Sequence, residues 1–555
     1  MHTAQFETPV ERLKHWATEQ PDVVYLTQPI NNQSIEYTWS EVLDEVTRVA
    51  NYLSKYPKSS HIAVISLNCA HWIMADLAIQ MAGHISIPIY PTASANTVSK
   101  ILRHSESKAV FLGKMFDSES ATRLLNKAIG DLDIEALAIY QSYPDMPYWQ
   151  QIVSEYSPIK LACQNQENDL LSIIYTSGTT GDPKGVMISY RAVQASMDLV
   201  KSVVVINQQD RFVSYLPLAH VAERMAVEFS ALYAGAHVSF IRSLETFTDD
   251  VKTARPTIFF GVPRIWAKIQ SAIESKLGGP RLLRGLFRVP VVGNKLKKVL
   301  LNKLGFQNVR YALCAAAAVN KAVLQWFGDL GLKLNEAYGM SETCGLSHMT
   351  LQTDTKMGSV GRVIEGCECQ LSTTGEVLLR NPAMMNGYYK QAELTAQTID
   401  SDGWLHTGDL GVIDADGFLY IIGRVKDIFK TSKGKYIAPI PIEQKFQTAL
   451  GIEHVILMGN GLTQPVLVVS TFESSYVNDS QKLIVKCQQQ LNVINSDLEV
   501  HERLSHIFIT AHPWTSENGL LTPTLKMKRN NIEKHHLNSI EALMNASTEQ
   551  VLMLQ

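Results

Sequence analysis

The sequence predicts an α/β protein. It has a large N-terminal domain of two doubly wound α/β subdomains plus a small β-barrel, then a small α+β C-terminal domain. Three observations carry this prediction. Short apolar runs alternate with amphipathic stretches over 61–112 and again over 212–262, the pattern of parallel strands joined by helices. From Gly358 to about Ile422 short alternating runs are broken by Gly and Asp, which marks a small antiparallel sheet or barrel. From about Lys426 a new set of strand and helix signals begins. The division falls at 1–424 and 425–555, with the boundary near 423–427.

In chain order, Tyr37-Thr38-Trp39-Ser40 leads into an amphipathic stretch through Tyr52, with Ser40 as the expected N-cap. Strands are expected at His61–Ser66, Ile85–Tyr90 and Ala109–Leu112, and helices at Trp72–Met81 and Val98–His104. Residues 115–168 are more polar and read as peripheral. Leu170–Ile174 is a short apolar run that reads as a buried strand, and a helix begins near Tyr190. Strands follow at Phe212–Leu216, His237–Ile241 and from Thr257, with a helix over His220–Tyr233. Later strands are expected near 455–457 and 466–469, and helices near 480–497 and 530–544.

The chain has 555 residues, 46% hydrophobic and 19% charged, with a net charge of −3. That is enough for several domains and gives no basic domain of the kind nucleic-acid binding needs. The start is polar and mixed in charge, without the apolar core of a signal peptide. No window suits a membrane span. The seven cysteines are scattered, as expected for reduced thiols in the cytoplasm. Between Lys276 and Lys303 every charge is basic, with apolar residues interleaved. This stretch reads either as a solvated amphipathic hairpin or as a helix lying on an anionic membrane surface.

The chemistry is concentrated in Tyr175-Thr176-Ser177-Gly178-Thr179-Thr180-Gly181-Asp182-Pro183-Lys184-Gly185. Glycines let backbone N–H groups turn toward one point, four hydroxyls surround it, and Lys184 adds a charge. This suits a polyphosphate cradle between a strand and a helix, although the usual nucleotide P-loop spacing is absent. A flexible polar loop is the plain alternative. Five further stretches accompany it. Tyr215-Leu216-Pro217-Leu218-Ala219-His220 ends a strand on a His. Asn335 to Thr343 sets Tyr338, Ser341 and Glu342 in one loop, and a carboxylate there could hold Mg²⁺ beside phosphate. Trp404 to Asp409 presents a turn Asp for sugar hydroxyls. The last two are Gly423-Arg424-Val425-Lys426-Asp427, continuing through Lys430 to Tyr436, and Leu521 to Arg529 around Lys526.

Together these motifs resemble the adenylate-forming superfamily, and within it long-chain fatty-acid–CoA ligases, over nearly the whole chain. The resemblance rests on the cradle, Leu216–Arg224, Gly261–Trp266, Tyr338–Glu342, Gly403–Asp409, Lys430–Pro439 and the Thr522–Lys526 form. It implies that a medium- or long-chain fatty acid attacks ATP to give acyl-AMP and pyrophosphate. The small domain then rotates, and CoA takes the acyl group, releasing AMP. ATP, Mg²⁺ and CoA are the implied cofactors and co-substrate. Passing the acyl group to a carrier protein, or closing a β-hydroxy acid to a β-lactone, would use the same adenylation residues. A catalytically silent nucleotide sensor would lack Lys526 or Glu342, and both stand here.

By the same resemblance Thr176, Ser177, Gly178, Thr179, Thr180, Gly181 and Lys184 hold the phosphates. Glu342 binds Mg²⁺, and Lys526, Glu342 and His220 form the catalytic set. Tyr338 stacks on adenine, with Ala315, Ala316, Glu336 and Ala337 lining its pocket. Ser341 keeps a hydroxyl where many members have Thr. Asp409 and Arg424 fix the ribose, Lys430 and Tyr436 contact the nucleotide from the linker, Lys426 is the hinge, and Gly434 passes near CoA. Two departures matter: Cys314-Ala315-Ala316-Ala317-Ala318 replaces a more glycine-rich turn, and Arg224 stands near the aromatic acyl gate of some members. The resemblance leaves chain length open. It also leaves the oligomeric state open, a homodimer among the options, along with peripheral membrane contact through 276–303.

Overall fold

The structure, a computed structural model, describes all residues except 1–5, 31–32, 142, 144–145, 161–162, 178–182, 278, 288, 453, 472–479, 516–517, 523–525 and 555. By internal contacts the chain divides into two compact units: Met1–Glu368 with Leu379–Leu405, and Cys369–Leu378 with His406–Gln555.

In the first unit the strands Glu135–Ala138, Ala109–Leu112, His61–Ile65, Ile85–Ile89 and Leu170–Ser177 lie side by side and parallel. Pro183–Ser189 closes this sheet as an antiparallel edge. The helix Ala70–Met81 is buried all round, as a helix apolar on every face must be. A second sheet pairs Val24–Ile30 with His237–Phe240 and Arg211–Ser214 in parallel. A third runs Ile258–Gly261, Tyr311–Cys314 and Leu334–Tyr338 in parallel, then turns antiparallel at His348–Met349 and Arg362–Val363. Each parallel series puts its strand ends on one edge, where ligand sites of open α/β sheets form.

Three expectations change. The helix Trp39–Leu53 is capped by Thr38, not Ser40: the Thr38 hydroxyl accepts from the Glu41 N–H, and the Glu41 carboxylate accepts from the Thr38 N–H at 2.8 Å. Residues 115–168 are not merely peripheral. Glu135–Ala138 is the outer strand of the six-stranded sheet, and Trp149 is fully buried. The cradle does not run from a strand into a helix. It joins two antiparallel strands, Leu170–Ser177 and Pro183–Ser189, and the helix Tyr190–Val203 starts only after the second.

The basic stretch folds as two helices, Pro280–Phe287 and Pro290–Leu304. Most of a four-stranded sheet, Glu368–Leu371, Glu376–Arg380, Leu405–Ile413 and Leu419–Arg424, belongs to the second unit, at the place where the antiparallel sheet or barrel was expected. A second four-stranded sheet of this unit runs Val455–Met458, Val466–Ser470, His506–Thr510 and Val551–Leu554. There Arg529 donates twice to Glu443, at 2.8 and 2.9 Å, and once to the Leu457 carbonyl. This ties the start of the helix Arg529–Ala546 to the helix Pro439–Leu450. All seven cysteines are free. No helix among the described residues is long and apolar enough to cross a membrane.

Candidate active site

Of the cradle, Gly178, Thr179, Thr180 and Gly181 lie outside the described residues; its two flanks are described. Thr176 sits opposite Lys184, and Ser177 opposite Pro183, so the hydroxyl side and the lysine side of the loop are held in register by strand pairing. Gly185 has to be glycine: a Cβ there would lie 2.7 Å from Ile173 Cγ2 and 3.2 Å from the Tyr175 ring. Tyr175, buried beneath the flank, hydrogen-bonds His104 Nδ1 at 2.7 Å.

The Tyr338–Glu342 loop leaves the end of the strand Leu334–Tyr338. Gly339 passes so close to Gly345 that a Cβ would stand 2.5 Å from the Gly345 carbonyl oxygen. The turn Ser341–Thr343 then buries Glu342. Tyr388 donates its hydroxyl to Glu342 Oε1 at 2.7 Å, and Lys184 Nζ lies 5.5 Å from the centre of the same ring. The structure thus brings together Lys184, Glu342 and a tyrosine that sequence reasoning missed. The only sequence signal for Tyr388 is its Gly387-Tyr388-Tyr389 setting, because its partners are distant in the chain.

Tyr338 packs edge-on against His348, ring centres 5.9 Å apart, and burial drives the His348 pKa down to about 4, so it is neutral near pH 7. Glu336 lies one strand from Cys314 and is buried; loss of solvation pushes its carboxyl up to about 8, against a Gly358 N–H and Lys321, which favour the charged form. Ala315 and Ala316 follow the strand Tyr311–Cys314, and both are half-buried. Ala316 adopts φ 72°, a left-handed conformation that glycine takes without steric cost. The glycine-poor turn is therefore a site of backbone strain.

His220 caps the helical run that follows it: its Nδ1 accepts from the Ala222 N–H at 3.1 Å. That run contains a π-helical turn, Arg224–Phe229. Arg224 is fully buried there, bonded to Asp76 at 2.6 Å, Glu228 at 3.1 Å and the Ser172 hydroxyl at 2.8 Å, between the rings of Trp72 and Phe229. It is an internal ion cluster, so no gate role is carried over to it.

In the second unit Asp409 and Arg424 face each other across paired strands, with Arg424 Nε 2.7 Å from Asp409 Oδ1. Asp409 is buried and Arg424 half exposed. Lys526 is bonded back to Thr522: its N–H donates to the Thr522 hydroxyl, and its carbonyl accepts from the Thr522 N–H. By area Lys526 is exposed; crowding about its ammonium, and then the Arg424 charge, lower its pKa, while Asp409 opposes them. Asp409, Arg424 and Lys526 thus form one electrostatic group. Lys426 is exposed in the turn Val425–Asp427. Lys430 and Tyr436 pair across a short hairpin, Nζ 5.4 Å from the ring, and Gly434 sits at its exposed tip with φ 77°.

A family model described as AMP-binding enzyme matches residues 13–389, and one described as AMP-binding enzyme C-terminal domain matches 426–548. The chain belongs to the AMP-binding enzyme family and is an adenylate-forming ligase. Its curated relatives include long-chain acyl-CoA synthetases. It is 28% identical over 548 residues to long chain acyl-CoA synthetase 6, peroxisomal, of Arabidopsis thaliana, covering 87% of this chain and 78% of that one. It is 25% identical over 587 residues to the long-chain-fatty-acid–CoA ligase FadD15 of Mycobacterium bovis, covering 95% of each. Among solved structures, the anthranilate CoA ligase AuaEII with anthranoyl-AMP has a TM-score of 0.79 at 19% identity, covering 97% of this chain and 98% of that one. The o-succinylbenzoate CoA synthetase of Bacillus subtilis with ATP and magnesium has a TM-score of 0.72 at 19% identity, covering 94% and 99%.

Proposed function

We propose that the protein activates a medium- or long-chain fatty acid with ATP and transfers it to CoA, giving acyl-CoA, AMP and pyrophosphate. The observation that carries this reading is the meeting of Lys184 and Glu342 on Tyr388, beside a hydroxyl-rich loop, in a chain whose relatives are long-chain acyl-CoA synthetases.

In this reading the cradle and Lys184 bind the β- and γ-phosphates, and Tyr338 packs on adenine beside Ala315, Ala316, Glu336 and Ala337. Ser341 adds a hydroxyl at that loop. The donor set suits Mg²⁺. Glu342 supplies one buried carboxylate, and no group of three or more metal-ligating side chains occurs among the described residues. Mg²⁺ characteristically takes one or two carboxylates and completes its shell with phosphate oxygens and water. Bound there, it would neutralise phosphate charge. Asp409 accepts from the ribose hydroxyls, with Arg424 fixing its orientation. The acid arrives ionised and needs no base. Lys526 serves as a positive charge on the carboxylate and α-phosphate oxygens as their negative charge shifts, a fixed-charge stabilisation. His220, through its capping bond, orders the start of the helix beside the acid. The small domain, 425–555, turns about Lys426 between the half-reactions, and Gly434 then lies against the arm of CoA while Lys430 and Tyr436 follow the nucleotide. The gap between the two family matches, at 390–425, is consistent with a link there.

A screen of saturated fatty acids by carbon number, read as pyrophosphate release, tests the substrate class: the expected maximum is at medium to long chains. Release with aromatic acids alone would contradict it. Transfer to a carrier protein, or β-lactone closure, is the reading that remains if AMP forms without acyl-CoA. We also propose peripheral contact with anionic membrane through 276–303, supported by its all-basic charge and by exposed Val289, Val291 and Val292 between its two helices and in the first turn of the second.

A further inference from the structure

Residues 385–390 are stitched along the cradle. Tyr389 N–H donates to the Gly185 carbonyl at 2.8 Å, Asn386 N–H to the Met187 carbonyl at 2.9 Å, and Met187 N–H to the Gly387 carbonyl at 3.0 Å. On the other side Met385 N–H donates to the Glu342 carbonyl at 2.9 Å. The segment therefore touches both the lysine flank of the cradle and the carboxylate loop. It is held from behind as well. Tyr388 N–H donates to the Thr395 hydroxyl at 2.9 Å. Lys390 takes φ 56° and Glu106 takes φ 55°, both left-handed without being glycine, and the two side chains pair at 2.9 Å. Such conformations persist where the surroundings over-determine them. The anchored residue at the centre is Tyr388, 5% exposed.

We propose that Tyr388 is a positioning residue that couples the metal-binding carboxylate to the phosphate-loop lysine. Its hydroxyl occupies Glu342 Oε1 and so presents Oε2 in one orientation, while its ring face holds the Lys184 ammonium. One side chain thus sets the spacing between the two charges that a metal-bound triphosphate must bridge. Groups that orient a metal ligand in this way typically change metal affinity by about 10- to 100-fold when removed. A cation over a ring contributes less, and its loss is worth a few-fold.

This inference rests on the nucleotide reading of the site but not on the identity of the acid. The test is Mn²⁺ binding to the full-length protein with ATP, followed by the paramagnetic resonance of the free ion and by calorimetry, in wild type, Tyr388→Phe and Tyr388→Leu. Tyr388→Phe keeps the ring and is expected to weaken Mn²⁺ by about tenfold, with ATP affinity in the absence of metal unchanged. In turnover the same variant should need more Mg²⁺ for half-maximal rate and recover its kcat at saturating Mg²⁺. Tyr388→Leu should also weaken metal-free ATP about threefold, through Lys184. Thermal melting of each variant checks that it is folded. An unchanged Mn²⁺ affinity in folded Tyr388→Phe, or a kcat loss that excess Mg²⁺ does not restore, would overturn the proposal. A wild type that binds Mn²⁺–ATP but activates no fatty acid would leave Tyr388 in place and remove only the substrate reading. A wild type that binds no Mn²⁺–ATP would overturn both.

Discussion

Lys526 is the residue on which the adenylation step depends in this account. It sits in one electrostatic group with Arg424 and Asp409, where loss of solvation and then the Arg424 charge lower its pKa and the Asp409 carboxylate opposes them. Lys526→Ala is expected to slow acyl-adenylate formation by about 100- to 1000-fold, as loss of one fixed transition-state charge does. The same variant should still convert added acyl-AMP and CoA to acyl-CoA; a rapid pyrophosphate burst from the variant would remove Lys526 from this role. Glu336 carries a second expectation. Its carboxyl is pushed up from 4.5 to about 8, chiefly by burial. The folded state therefore binds a proton that the unfolded state releases. The stabilisation from Glu336 is complete below about pH 4.5 and is lost as pH rises toward 8. Glu336→Gln should gain melting temperature relative to wild type between pH 5 and about 8. Parallel melting curves across that range would contradict the assignment. At this scale the sequence was legible where chemistry is local. Glu342, Asp409, Arg424 and Lys526 stand in short motifs that carry the resemblance, and the roles proposed for them rest on it. Tyr388 was not, because its partner lies 46 residues away and only the fold brings them together.

At the scale of elements, strands with unbroken apolar runs were readable, and the cradle's second strand was not. Pro183, Lys184 and Gly185 open it with residues that strands usually avoid, and its apolar run is only Val186, Met187 and Ile188. The consequence is mechanical: a loop between paired strands has both flanks fixed, so Thr176 and Lys184 cannot drift apart independently. The Thr38 cap shows a smaller shift of the same kind, decided by a reciprocal bond to Glu41. The basic helical pair is the element whose use is least visible in its own pattern. No Asp or Glu occurs from residue 275 to 328, and Val291 and Val292 are 69% and 53% exposed. Apolar tips beside lysines suit an anionic bilayer, with charge drawing the surface near and valines entering its boundary. Val291→Glu combined with Val292→Glu should lower binding to vesicles rich in phosphatidylglycerol by about tenfold or more while leaving adenylate formation intact. Wild type that floats free of such vesicles would refute the contact.

At the scale of the whole molecule, the chain keeps the parts of one reaction in two compact units. The residues proposed to hold phosphate, metal and adenine belong to the first, and Asp409, Arg424, Lys426, Gly434 and Lys526 to the second. The sequence conveyed the two series of alternating elements and the late change of pattern. It could not convey that the sheet carrying Asp409 and Arg424 groups with the C-terminal segment, because that grouping depends on contacts between distant strands. The most direct measurement is a single turnover with ATP and palmitate, followed by addition of a limiting amount of CoA. The expected result is acyl-AMP held by the protein before CoA is added, then acyl-CoA and AMP in equal amounts afterwards. Pyrophosphate and AMP released with no acyl-CoA would contradict the account.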